Sequence, residues 1–188
     1  MRELTEIKDA LVSGVTFQST ALALNLGRCT IRVLCNSSDL LSRLNDYFSH
    51  IILPDYSSEC DIEILAIEQE SVELPVHFKD WHREPGKTGR KDAFYDLNGG
   101  RIIRKVRTGM VFLQSEAYRI AIGPCVENDN QVINFINNQY MTWLQQRDWL
   151  NCHAAALVKD DKAYAVAGFS GGGKSTLMLH MLENDETH

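Results

Sequence analysis

The sequence predicts an α/β protein of the α+β kind, with a mostly antiparallel sheet and helices in residues 1–125 and a shorter strand–loop–helix unit in 126–188. Three observations predict it. Short apolar runs with period two recur between residues 20 and 122, separated by glycine-bearing reversals. Stretches with helical spacing stand at 2–12, 37–48 and 131–150. An apolar strand then runs into a glycine-rich loop and an apolar-periodic helix between 162 and 182.

Each element has its own warrant. Leu4, Ile7, Leu11 and Val12 share one side of a helix over 2–12. Leu22, Leu24 and Leu26, then Cys29, Ile31 and Val33, form two strands around a turn at Gly27. Ser37 or Ser38 caps a helix that carries Leu40, Leu41, Leu44, Tyr47 and Phe48. Pro54 ends that region, and residues 60–68 alternate again as a strand. Residues 79–92 are polar, with Pro85, Gly86 and Gly89, and read as a loop. Its basic residues Lys79, Arg83, Lys87, Arg90 and Lys91 suit solvent, or the docking of a phosphate or an acidic partner. Strands follow at 94–97, 101–107, 110–115 and 117–122, with reversals at Asn98-Gly99-Gly100 and Thr108-Gly109.

Residues 125–130 read as a joint, which puts the domain boundary between 125 and 126. A helix is expected over 131–150, with Ile133, Ile136, Tyr140, Trp143 and Leu144 on its core face. Strands at 153–159 and 162–167 flank a tight turn at Asp160-Asp161, whose carboxylates face solvent. Self-similar repeats and low-complexity segments are absent.

Composition narrows the function. A chain of 188 residues buries about two-thirds of its unfolded surface, so it needs no disulfide or metal staple. Its 44% hydrophobic and 23% charged residues exclude long-range disorder. No apolar run reaches the length of a membrane span, and the start, MRELTEIKDALVSG, lacks a signal core. A net charge of −6 argues against nucleic acid as a partner. The five cysteines lack Cys-x-x-Cys or zinc-ligand spacing, which predicts reduced, mostly buried thiols in the cytoplasm.

Residues 168–175 read Gly168-Phe169-Ser170-Gly171-Gly172-Gly173-Lys174-Ser175, a full match to G-x-x-x-x-G-K-[ST], followed by Thr176. Successive backbone N–H groups hold a phosphate chain only if the backbone curls, and Gly171, Gly172 and Gly173 permit that. Lys174 places a cation on the β/γ-phosphates, and the Ser175 hydroxyl is a ligand for Mg²⁺. The following helix, from Ser175 to about Leu182, points its positive end at the same phosphates. The expected cofactors are therefore ATP and Mg²⁺, bound by residues 168–176.

The segment 151–179 resembles the start of the catalytic domain of HPr kinase/phosphorylase and its relatives. The likeness is carried by His153 opening a β-hairpin whose second strand ends in the phosphate loop. The loop and Leu177 are also similar to ATP-dependent phosphoenolpyruvate carboxykinase. For 126–188 the resemblance implies the start of a P-loop-containing kinase domain of the HPr kinase/carboxykinase type. It implies an ATP-dependent serine kinase acting on a small carrier protein, with His153 and Lys174 as its catalytic residues and His153 beside the phosphates or the acceptor. The related kinases tend to be oligomers, which makes a homo-oligomer one option. Residues 1–125 carry no motif of that family.

The chain stops soon after Ser175, before any later strand could supply a carboxylate for the magnesium shell or a group to accept the substrate proton. The expectation is a truncated or degenerate relative, inactive alone, with a bare sheet edge beside the loop. The alternative is a non-catalytic nucleotide-binding or interaction module. A carboxykinase for small carboxylates fits less well, because substrate-site cations are lacking outside the 79–92 stretch.

Overall fold

The computed structural model describes residues 3–54, 59–70, 72–82 and 92–184. In chain order the elements are α1 (Leu4–Val12), β1 (Leu22–Leu26), β2 (Cys29–Cys35), α2 (Ser38–Tyr47), β3 (Ile62–Glu68), β4 (Lys79–Asp80), β5 (Ala93–Leu97), β6 (Gly100–Arg104), β7 (Val111–Ser115), β8 (Arg119–Gly123), α3 (Asp129–Gln145), β9 (Ala154–Lys159), β10 (Lys162–Ala167) and α4 (Lys174–Asn184). The protein is mixed α/β, and most of the strand pairs are antiparallel. It divides into two compact units, Met1–Thr142 and Trp143–His188.

The first unit holds an eight-stranded sheet in the order β1-β2-β3-β8-β7-β6-β5-β4. The β2–β3 and β3–β8 pairs are parallel, and every other neighbouring pair is antiparallel. Parallel neighbours need a crossover, and α2 lies in the one between β2 and β3. The Ser37 side chain accepts the Leu40 N–H at 3.3 Å and so caps α2.

Alternation along the strands gives the sheet two apolar faces. On one, Ile67, Ile102, Val111, Leu113, Ile120 and Ile122 pack with Ile7 and Leu11 of α1. On the other, Phe112 of β7 lies against Phe135 of α3 at 5.0 Å between ring centres, and the Tyr140 hydroxyl donates to Leu26 O at 3.2 Å. Each fully buried Leu or Ile contributes about 1.5–3 kcal/mol, which makes these two layers the main stabilising term of the unit.

Several expectations are corrected. The helix expected over 131–150 spans Asp129–Gln145. Asp148 takes φ +62°, and the Arg147 and Trp149 N–H groups both turn back to Leu144 O, at 2.9 and 3.1 Å. That is a left-handed helix ending, and it falls where the sequence becomes polar. The buried side of α3 is also rotated: Val132, Phe135, Ile136, Gln139 and Trp143 are buried, while Ile133, Tyr140 and Leu144 are half-buried. The strand expected over 101–107 stops at Arg104, because Lys105 N–H bonds Met110 O and Gly109 N–H bonds Lys105 O, both at 2.8 Å. The loop expected over 79–92 begins with strand β4, where Lys79 pairs with Phe94 and Asp80 with Ala93. Arg83, Lys87, Arg90 and Lys91 lie outside the described residues, as do Asp185 to His188.

Candidate functional site

The second unit is a β-hairpin followed by a loop and a helix. Strands β9 and β10 pair antiparallel from Lys159↔Lys162 to Ala154↔Ala167. Asp160 and Asp161 join them with φ of +51° and +59°. Two consecutive left-handed residues are what a two-residue hairpin turn requires, and aspartate tolerates that conformation better than most. Helix α4 packs back against both strands.

Strand β10 delivers the chain into the loop at Gly168. The Gly172 N–H donates to Phe169 O at 3.1 Å and closes a tight turn. Gly171, the third residue of that turn, has φ +78°, where a side chain would be strained. A Cβ on Gly172 would stand 3.0 Å from Phe169 O. Gly173 also has φ +78°, and its carbonyl accepts the Leu177 N–H at 2.8 Å, so it starts α4. The three glycines are thus demanded by curvature in two cases and by a close approach in the third.

Gly172 apart, the described N–H groups of the loop do not reach the loop's own carbonyls. Among the described residues, the N–H groups of Ser170, Gly171, Gly173, Lys174, Ser175 and Thr176 have no acceptor. Three of these are first-turn donors of α4, where the helix carries about half a positive charge. Exposed N–H groups of this kind make an anion-binding concavity. The Lys174 ammonium adds a full charge. It donates to Gly168 O at 3.1 Å and to Phe169 O at 3.0 Å, which holds it over the start of the loop. Ser175 and Thr176 are exposed in the first turn of α4.

Pairing of Ala154 with Ala167 leaves His153 and Gly168 as the next residues at the same end of the hairpin. His153 is exposed there. Residues far apart in sequence are thereby brought to one end of the unit. Asp160 and Asp161 are exposed and stand at the other end, beyond the full length of β10, or roughly 20 Å at strand rise.

The glycine-rich loop and Lys174 were readable from sequence, because their spacing is local. The self-contacts of Lys174 and the exposure of Phe169 were not, since no periodicity reports them. A second feature that sequence did not signal is an open groove of about 490 Å³ between the hairpin and α4. Leu157, Tyr164, Leu177 and Met181 are among its lining residues.

None of the five cysteines is in a disulfide: Cys29, Cys35 and Cys125 are buried, Cys60 is half-buried and Cys152 is exposed. Burial pushes the Cys35 thiol up to about 12 and raises that of Cys125 as well. Among the described residues no group of three His, Cys, Asp or Glu side chains is placed to hold a metal ion, and no helix is long and apolar enough to cross a membrane. No protein-family model, curated protein or solved structure matches the chain.

Proposed function

We propose that residues 168–176 bind the phosphates of Mg·ATP, and that the protein is the ATP-binding part of an HPr-kinase-like serine kinase. One observation carries the reading: among the described residues, the N–H groups of Ser170, Gly171, Gly173, Lys174, Ser175 and Thr176 lie without an acceptor beside the Lys174 ammonium. The residues fit the group. Gly168 to Gly173 offer the backbone cradle, whose curvature an added Cβ at Gly172 would oppose. Lys174 faces the β/γ-phosphates, and the Ser175 hydroxyl would join the Mg²⁺ shell. Thr176 adds an N–H and a hydroxyl at the α4 end of the cradle. His153 stands at the mouth of the loop, where it orients the phosphates or the acceptor. Bound Mg·ATP supplies an electrophilic γ-phosphoryl group with its charge partly neutralised.

The acceptor on this reading is a serine of a small carrier protein, and the setting is the cytoplasm, which suits five cysteines outside any disulfide. A homo-oligomer belongs to the same reading. The test is calorimetry with Mg·ATP on the wild-type chain and on Lys174→Ala. The expected outcome is binding by the wild type that weakens about 100-fold or more in the variant, as befits a lost charge-assisted contact. A folded wild-type chain that binds no Mg·ATP would overturn the proposal.

A second reading, a nucleotide-binding module without catalysis, is favoured by the position of Asp160 and Asp161. They lie at the wrong end of the hairpin to complete a magnesium shell or accept a proton. The two readings part on phosphotransfer. We expect this chain alone to bind Mg·ATP with weak or no kinase activity, and measurable transfer to a protein serine would remove the second reading.

A further inference from the structure

We propose that Phe169 is the docking residue for the acceptor polypeptide, receiving an apolar side chain next to the serine that takes the phosphate; this rests on the kinase reading above. Phe169 is 94% exposed, more than any other large hydrophobic residue described. Its backbone is nevertheless fixed, because its carbonyl accepts both the Gly172 N–H and the Lys174 ammonium, at 3.1 and 3.0 Å. A ring with two rotatable bonds is therefore held out into solvent on an anchored backbone, which lowers the ordering cost of binding. The loop does not need an aromatic here. The backbone at this position has no positive φ, so any L residue would serve the turn.

The place of Phe169 selects its partner. Lys174, the cation for the β/γ-phosphates, rests on the carbonyls of Gly168 and Phe169. Thr176, in the first turn of α4, marks the opposite end of the cradle. Phe169 therefore stands at the terminal-phosphate end, the side from which an acceptor hydroxyl must approach for in-line transfer. A nucleotide base attaches beyond the α-phosphate, toward α4. The ring is a poor phosphate ligand, since its faces are electron-rich. What remains is an apolar group carried by the acceptor, and phenylalanine is among the residues enriched where polypeptides meet.

The test uses an array of immobilised serine peptides with varied flanking residues, probed with the labelled full chain at saturating Mg²⁺ and a non-hydrolysable ATP analogue. Wild type, Phe169→Ala and Phe169→Leu are compared, the leucine variant keeping an apolar side chain. The expected result is retention of peptides that carry a large apolar residue within two positions of the serine. Retention should fall about tenfold in Phe169→Ala and recover largely in Phe169→Leu. The same retention profile in all three proteins would overturn the proposal, as would no retained peptide by a wild-type chain that binds the nucleotide. A parallel titration compares ATP with inorganic tripolyphosphate. If Phe169→Ala weakens ATP alone, the ring stacks on the base and the proposal fails. If the wild type binds neither, the phosphate-loop reading itself has failed.

Discussion

The ammonium of Lys174 rests on the carbonyl oxygen of Phe169 at 3.0 Å, and the same oxygen accepts the Gly172 N–H at 3.1 Å. The Lys174 ammonium thus ties the start of the loop to its turn. Lys174→Met keeps the apolar stem and removes the charge. The bonds are exposed, so their combined worth is no more than about 1 kcal/mol. Exchange of the Gly172 amide, followed by NMR without ligand, should therefore quicken about fivefold. An unchanged rate would show that the ammonium does not hold the loop.

Gly173 begins α4 with φ +78°. An alanine there is strained by about 1–2 kcal/mol, and the strain falls on the glycine-rich loop. Gly173→Ala should weaken Mg·ATP about tenfold by calorimetry. Equal affinity in the two proteins would mean that the left-handed backbone is not what the phosphates require.

The first unit has a comparable two-way contact. The Asn36 amide donates to Glu68 O at 3.0 Å, and the Glu68 N–H donates to Asn36 Oδ1 at 2.7 Å. The Glu68 carboxylate in turn accepts the Val126 N–H at 2.7 Å. This ties the end of β2 to the end of β3 and to the approach to α3. Asn36→Ala should cost about 2 kcal/mol in urea unfolding, at about 1 kcal/mol for each bond lost. Asn36→Asp should cost as much, because its carboxylate would face the Glu68 carbonyl. A loss below about 0.5 kcal/mol would mean the clamp is dispensable.

The buried thiols set an alkaline limit. Cys35 keeps its proton up to about 12 when folded, whereas an unfolded thiol releases it near 9.0. Between those values the unfolded state binds fewer protons, so stability falls as pH rises. The slope for one thiol is about 1.4 kcal/mol per pH unit. Stability should be level below the unfolded value and decline from about pH 9, with a shallower decline in Cys35→Ala. A thiol reagent at pH 8 should label exposed Cys152 first and spare Cys35 and Cys125. Rapid labelling of Cys35 in the folded chain would contradict its burial.

Much of the molecule was legible as sequence because its signals are local. Period-two runs located the strands, a serine cap at Ser37 or Ser38 located α2, and glycine spacing located the loop over 168–175. Each of these depends on residues a few positions apart, where backbone sterics and hydrogen bonding act directly. Tertiary structure alone decided the parallel pairing of β2, β3 and β8, the addition of β4 at the sheet edge, and the rotated buried face of α3. These depend on which distant surfaces bury the most apolar area together, and no short window of sequence contains that comparison. The site divides in the same way. Gly171, Gly173 and Lys174 were set by local chemistry, but the placing of His153 and Gly168 at the same end of the hairpin and the outward ring of Phe169 followed only from strand register and from hydrogen bonds across the loop.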